Sequence, residues 1–246
     1  MINSVIQGDC LEVMKALPDK SVDMILCDLP YGTTACKWDT IIPFEPLWEQ
    51  YKRIIKDNGA IVLTASQPFT SALVMSNPDM FKYEWIWDKK TSTGGALAKK
   101  RPMKAHENIL VFNCKFYNPQ MGKWDENVIK RMSKKRYEAI PRSEMMHGQH
   151  IVCNKEDKLF RGKYPQSVLR INGLARPSRE SGLHPTQKPV ALFEYLIKTY
   201  TNEGDLVLDN CAGSGTTGVA CKNLNRNFIL IEKEQEYIDI INKRLA

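Results

Sequence analysis

Val22-Asp23-Met24-Ile25-Leu26-Cys27-Asp28-Leu29-Pro30-Tyr31 is the stretch that decides the fold. Val22–Cys27 is an apolar run of strand length, broken only by Asp23, and reads as a buried strand. Pro30 removes a backbone donor and fixes φ, so the chain must leave the sheet there. Asp28 and Tyr31 are then presented at the carboxyl edge, where open α/β sheets bind ligands. A carboxylate accepts hydrogen bonds from an amine, and an aromatic ring stacks on a flat partner. Together they are what a site needs to hold a nucleobase by its exocyclic amino group. Taken alone, the same residues equally describe a strand followed by a Pro-Tyr turn. The far end of the chain tips the balance.

There, Leu206-Val207-Leu208-Asp209-Asn210-Cys211-Ala212-Gly213-Ser214-Gly215-Thr216-Thr217 reads as strand, glycine turn and helix start. Gly213 and Gly215 permit a tight turn and a close approach to a ligand, and the helix start offers unpaired N–H groups. The next strand, Phe228–Ile231, ends at Glu232-Lys233, about 20 residues past the turn, where Rossmann-like folds place an acid on ribose hydroxyls. A phosphate-loop NTPase needs a lysine after the loop and finds Gly215-Thr216-Thr217. A dinucleotide dehydrogenase is formally allowed by Gly213, Gly215 and Gly218, but it leaves Asp28–Tyr31 unexplained. S-adenosylmethionine, which has an adenosine for the acid and no pyrophosphate, is the third reading.

Between these motifs the pattern alternates. Strands are predicted at Ser4–Gly8, Val22–Cys27, Ala60–Ala65, Tyr83–Trp87, Ile109–Phe112, Asp205–Asp209 and Phe228–Ile231. Helices are predicted near Leu11–Leu17, at Phe44–Lys56 (ended by Asn58-Gly59), Pro68–Met75, Val190–Tyr200, Thr216–Leu224 and Gln235–Leu245. The order implies a doubly wound, mostly parallel α/β sheet of about seven strands. From Asn113 to about His184 periodicity is lost. The expected organisation is therefore a catalytic half over residues 1–113, an irregular insertion over 114–183 and a cofactor half over 184–246.

The 246 residues carry a net charge of +7, unevenly spread. Residues 90–180 hold 20 Lys and Arg against 8 Asp and Glu, while the rest holds 15 against 20. A basic block on an acidic body is the footprint of a polyanion partner rather than of general solubility. Lys89, Lys90, Lys99, Lys100, Arg101 and Lys104 are the candidate phosphate contacts, a solvated loop being the alternative. Trp85, Trp87 and Trp124 are candidate stacking rings, with core packing expected for at least one of the first two. The seven cysteines include no Cys-x-x-Cys, and His147 and His150 lack a thiolate pair, so no metal site is expected. No apolar run reaches the length of a bilayer span, and no secretory signal is read at Met1–Gln7. A reduced, cytoplasmic protein is expected.

On these residues the chain resembles the β class of amino-methylating DNA methyltransferases. In that class an Asp-Pro-Pro-Tyr catalytic motif precedes a Phe-x-Gly-x-Gly cofactor motif, in a circularly permuted, Rossmann-like S-adenosylmethionine-dependent fold. Asp28–Tyr31 matches the first and Cys211–Gly215 the second. His184-Pro185-Thr186-Gln187-Lys188-Pro189 resembles the methionine-side cofactor motif, and Gly8-Asp9-Cys10-Leu11 with Ser21-Val22-Asp23 the opening pattern. The resemblance spans roughly Val5–Phe112 and His184–Leu245, and the block between corresponds to the target-recognition region. It implies methyl transfer to N6 of a flipped-out adenine in double-stranded DNA, with N4 of cytosine, RNA, or a non-catalytic binder as alternatives. Asp28 and the Leu29 carbonyl would hold the amine, with Pro30 in the turn and Tyr31 stacked on the base. Asp209, Cys211, Ala212, Gly213, Ser214, Gly215, Thr216, Thr217, Glu232 and Lys233 would line the cofactor. Lys188 would meet the methionine carboxylate. Asp9, with Cys10, would approach the adenine, or else Asp9 caps a helix. Leu29 and Cys211 stand where the class has proline and phenylalanine. The resemblance also leaves room for a homodimer and a cognate restriction enzyme.

Overall fold

A computed structural model describes residues 2–33, 39–123, 127, 162–174 and 187–246. They divide into a sheet unit, Met1–Asn118 with Ser167–Ala246, and a smaller unit, Pro119–Gln166. In the smaller unit Gly122 and Lys163 form an antiparallel bridge. The sheet unit runs β1 (Ser4–Gln7), α1 (Cys10–Lys15), β2 (Val22–Cys27), α2 (Phe44–Ile54), β3 (Ile55–Ala65), α3 (Phe69–Ser76), β4 (Phe81–Thr93), β5 (Lys104–Phe112), β6 (Val168–Arg170), α4 (Val190–Tyr200), β7 (Leu206–Asp209), α5 (Thr216–Asn223), β8 (Asn227–Glu232) and α6 (Gln235–Leu245).

Eight strands form one sheet in the order β1-β8-β7-β2-β3-β5-β4-β6. The pairs from β1 through β3 are all parallel, and only β5 runs against its neighbours β3 and β4. Because side chains alternate across a strand, each apolar run serves two cores. Ile25, Cys27, Ile61, Leu63, Leu110 and Phe112 pack with Leu47, Tyr51 and Ile54 of α2 and Phe69 of α3. Met24, Leu26, Val62, Ile109 and Val111 pack with Leu192, Phe193, Leu196 and Ile197 of α4 and Cys221 of α5. A sheet covered on both faces explains why β2, β3, β7 and β8 read as continuous rather than alternating apolar runs.

Four expectations change. Asn58-Gly59 does not end α2. The helix stops at Ile54, and the pair lies inside β3, where the β2 register jumps from Val22–Ile55 to Met24–Ala60. β4 and β5 are longer than their apolar centres, so Lys89 and Lys90 lie in β4 rather than in a loop, and the hairpin tip shrinks to residues 94–103. β6 adds an eighth strand inside the supposedly irregular block. Three residues with one buried side chain, Leu169, give no periodic signal, and β6 exists because β4 supplies parallel backbone partners. The insertion is accordingly drawn inward at both ends, to Pro119–Gln166. Trp124 lies outside the described residues. Trp85 and Trp87 are both buried, with their indole N–H groups donating to the Tyr200 hydroxyl (2.7 Å) and the Ile171 carbonyl (2.8 Å). Both pack in the core, and Trp87 also borders the cavity at the carboxyl edge of the sheet. No helix among the described residues is long and apolar enough to cross a membrane.

Gly59 is required by closeness rather than by turn chemistry. A Cβ there would stand 2.6 Å from the Asp23 carbonyl oxygen and 2.8 Å from Ile55 Cδ1. Gly59→Ala is therefore expected to lower stability by about 1–3 kcal/mol through overpacking. The check is the urea midpoint at unchanged slope, and an unaltered midpoint rejects the close-approach account.

Candidate active site

Four of the five strands on the parallel side of the sheet end beside an acid: β1 before Asp9, β2 before Asp28, β7 at Asp209 and β8 at Glu232. All four line one cavity of about 940 Å³ at the carboxyl edge. Seven carboxylate side chains line it against three ammonium groups, those of Lys89, Lys188 and Lys233.

Asp28 is held from both sides. Its Oδ1 accepts the Thr64 hydroxyl and lies 2.7 Å from the Tyr31 hydroxyl, while its Oδ2 accepts Lys188 Nζ at 2.5 Å. The Tyr31 ring stacks on Phe69 with centroids 5.2 Å apart, and Lys188 Nζ lies 5.8 Å from the Tyr31 centroid. Burial first, and the Asp28 charge second, push the Tyr31 phenol well above its ordinary range. Leu29 is buried and packs into the α2-side core. Pro30 lines the cavity. The segment after the motif is tied down by Asp39, whose two carboxylate oxygens accept Gly32 N (2.8 Å) and Thr33 N (2.9 Å).

Lys188 is a buried ammonium. Burial alone would lower its pKa, but the carboxylates of Asp28 and Glu107 outweigh burial and hold it above the usual lysine value. Its second carboxylate, Glu107 Oε2, is 3.5 Å away, and Glu107 Oε1 takes Lys89 at 3.1 Å. Charges therefore alternate along Lys89, Glu107, Lys188 and Asp28. Lys188 is engaged with Asp28 and lines the cavity that also holds the glycine turn, because a buried ammonium needs counter-charges and these are the ones within reach. Lys89 is likewise a buried ion-pair member on the cavity wall. Lys104 is exposed at the start of β5 with its Nζ on the Ser66 hydroxyl, and its pKa is lowered by partial burial first and by Lys89 and Lys188 after it. Lys90, Lys99, Lys100 and Arg101 are exposed on the β4–β5 hairpin. His184, Pro185 and Thr186 lie outside the described residues.

The glycine turn is built as read. Gly213 and Gly215 take positive φ values of 52° and 78°. A Cβ on Gly215 would meet Ile241 of α6 at 2.9 Å. Glu232 closes the turn onto β8: its Oε2 accepts Gly213 N (2.7 Å), and its Oε1 accepts the N–H groups of Lys233 (2.8 Å) and Glu234 (3.0 Å). Burial pushes the Glu232 carboxyl up. Asp209 accepts Cys211 N (3.1 Å) and the Thr217 hydroxyl, and burial raises it from 3.8 to about 7. Ser214 accepts Arg244 at both its carbonyl (2.6 Å) and its hydroxyl (3.1 Å). Thr216 donates to the Lys188 carbonyl (3.3 Å), joining the turn to the lysine segment. Asp9 accepts Leu11 N at 3.0 Å, which makes it the N-cap of α1, and it still borders the cavity. Ala212 is buried beside it. Cys211 sits between the thiols of Cys10 and Cys27. Burial raises the Cys27 thiol to about 12.

Sequence reading missed Thr64, Asp39, Glu107 and Asn210. Thr64 lies in an apolar strand and Glu107 near a strand start, where neither type carries a signal. Asn210 accepts the buried Tyr51 hydroxyl at 2.6 Å, a pairing across 159 residues.

An open α/β sheet with acidic strand ends and a glycine turn at one edge is a Rossmann-like, nucleotide-cofactor-binding architecture. A family model for DNA methylases of the N6/N4 type matches residues 22–243, and the chain belongs to that family. It is 28% identical over 271 residues to the type II methyltransferase M.HinfI of Haemophilus influenzae, covering 99% of this chain and 68% of that one. The structure of an M1.HpyAVI–SAM complex superimposes with a TM-score of 0.65 at 27% identity, covering 99% and 98% of the two chains. PvuII DNA methyltransferase, cytosine-N4-specific, shares the fold with a TM-score of 0.69 at 15% identity, over 100% and 87%.

The raised Asp209 carboxyl makes a pH prediction. A group whose folded pKa lies above its unfolded value favours its protonated form in the fold. Its contribution is therefore full below about 3.8 and is lost as pH rises to about 7. Asp209→Asn should remove that dependence. Wild-type stability relative to the variant should fall by roughly 1–4 kcal/mol between these pH values, measured as paired urea midpoints. A difference that stays constant with pH would contradict the shift.

Proposed function

We propose that the protein transfers a methyl group from S-adenosylmethionine to the N6 amino group of adenine in DNA. The observation that carries the reading is one cavity containing both Asp28, at the end of β2, and the Gly213–Gly215 turn closed by Glu232. The lining fits that cofactor. A carboxylate at a strand end suits a ribose diol. An excess of acids suits a cationic sulfonium and opposes the pyrophosphate of a dinucleotide or a nucleoside triphosphate. Bound there, S-adenosylmethionine supplies an electrophilic methyl group on positively charged sulfur.

The chain's own groups do the rest. The target base cannot be reached inside the duplex and is taken out of the stack. Asp28 and the Leu29 carbonyl accept the two amino hydrogens and so aim the nitrogen lone pair. Asp28 also stabilises the positive charge that develops on nitrogen. Tyr31 fixes Asp28 through its hydroxyl. Asp209, Cys211–Thr217 and Glu232 form the cofactor wall, with Asp9 and Cys10 at its rim and Lys233 at its outer edge. Adenine is preferred because a first-position Asp resembles the adenine enzymes of the class. Lys90, Lys99, Lys100 and Arg101 contact phosphates, and the basic insertion over residues 114–183 reads the target.

Transfer of labelled methyl to unmethylated genomic DNA, followed by nucleoside mass spectrometry, tests the reaction. N6-methyladenine is expected, falling by about 10²-fold or more in Asp28→Ala through lost positioning. N4-methylcytosine would overturn the base assignment alone, and no methylated base would overturn the activity. The hairpin has its own test. Replacing Lys99, Lys100 and Arg101 by Ala should flatten the dependence of log K on log salt by about 0.9 for each phosphate no longer neutralised. An unchanged slope removes the hairpin from the DNA footprint.

A further inference from the structure

We infer that Glu107 is a positioning residue that takes the Lys188 ammonium off Asp28 when the substrate amine docks. The inference rests on the proposed amino-methylation and adds a residue outside the motifs quoted above. In the structure Asp28 Oδ2 is engaged by Lys188 Nζ at 2.5 Å, and the same ammonium stands 5.8 Å from the Tyr31 ring centroid. It thus lies against the two groups that a flipped base must reach. A carboxylate shared with an ammonium is also a weaker anion for a nitrogen that becomes positive during methyl transfer.

Lys188 cannot simply leave. Its side chain is 7% exposed, and an unpaired buried charge is costly. Glu107 supplies the second berth. Its Oε2 is 3.5 Å from Lys188 Nζ, so a shift of under about 1 Å brings the pair to the usual charge-assisted distance. Among the described residues, Glu107 Oε2 is one of three buried side-chain polar atoms without a hydrogen-bond partner; the other two are the amide atoms of Gln187. Lys89 anchors the far oxygen at 3.1 Å and holds Glu107 in place. The alternating string Lys89, Glu107, Lys188 and Asp28 therefore has two arrangements with the same net charge. One engages Asp28, and the other frees it.

Glu107→Gln keeps the shape and removes the berth's charge, leaving Lys188 with Asp28 as its sole carboxylate partner. Single-turnover methylation at saturating S-adenosylmethionine should slow roughly tenfold, the range seen for coupled members of one ion network, while cofactor affinity stays within about twofold. Adding Lys188→Gln should restore several-fold of that loss, because nothing then masks Asp28 and net charge returns to that of the native string. A purely structural Glu107 predicts the opposite, a double variant no better than the single. That result, or a Glu107→Gln rate equal to wild type, overturns the inference. Should Glu107→Gln fail to fold by circular dichroism, Glu107→Asp, one methylene too short to reach Lys188, is expected to show the same slowing and the same rescue. A wild-type chain that methylates no base overturns the proposed function and this inference with it. A methylating wild type with an indifferent Glu107 overturns only the inference.

Discussion

The parallel pairing of β2 with β7 is the constraint on which the site depends. Met24 faces Val207 and Ile25 faces Leu208, two segments more than 180 residues apart in sequence. Parallel strands end at the same edge, so this register brings Asp28 and Asp209 to one rim. Asp23 locks it from below. Its Oδ2 accepts Leu206 N at 3.0 Å, and its Oδ1 accepts Lys56 Nζ at 2.7 Å, fastening β7 and β3 to β2. The single polar residue in the β2 run is therefore the one that sets strand alignment. A one-residue slip would reverse every side chain and send Asp28 into a core.

The edge so formed concentrates charge at a cost to the fold. Asp209 and Glu232 are both pushed toward their neutral forms by burial, and Lys188 stays cationic only because two carboxylates face it. Backbone N–H groups are the commonest remedy. Glu232 takes three, and Asp209 takes one with a hydroxyl. These bonds make the glycine turn rigid, so the wall opposite Asp28 is preorganised rather than assembled on binding. The cluster of Asp28, Lys188, Glu107 and Lys89 differs in kind: its partners are side chains rather than backbone N–H groups. A wall tied by backbone bonds facing an acid held by side chains suits the proposed reaction, in which one partner is a cofactor of fixed shape and the other a base that must swing in.

Much of this was legible in the residues. α4 and α6 fall at Val190–Tyr200 and Gln235–Leu245, as the helical spacing predicts, because each has a clear apolar stripe. β2, β7 and β8 are recognisable because burial on both faces demands unbroken apolar runs. The rest failed for reasons that sequence does not carry. β6 is three residues recruited by the edge of β4. Asn58-Gly59 looks like a helix stop but is a point of close backbone approach to Asp23. Asp28 is met by a mid-strand threonine and by a lysine 160 positions away, and that lysine's second carboxylate comes from a glutamate near the start of β5. Each has an ordinary local context, and only the sheet brings them together. Lys89 looked like a surface charge because its neighbours are basic, yet the β4–β5 pairing buries it against Glu107.

The two departures from the class motif follow from packing. Leu29 stands where the class has proline, and its side chain is 3% exposed in the α2-side core. It anchors the turn by burial, while Asp39 grips the following N–H groups and supplies the stiffness a second ring would give. Cys211 stands where the class has phenylalanine. Its thiol is packed among those of Cys10 and Cys27, and the Asn210 beside it is fixed by the Tyr51 hydroxyl. A small soft group in that wall leaves more room beside the glycine turn than a phenyl ring would. In both places a motif residue has been exchanged for interactions spread across α1, β2 and α2. Neither exchange touches the groups proposed to aim the amine: the Asp28 carboxylate and the backbone carbonyl that follows it.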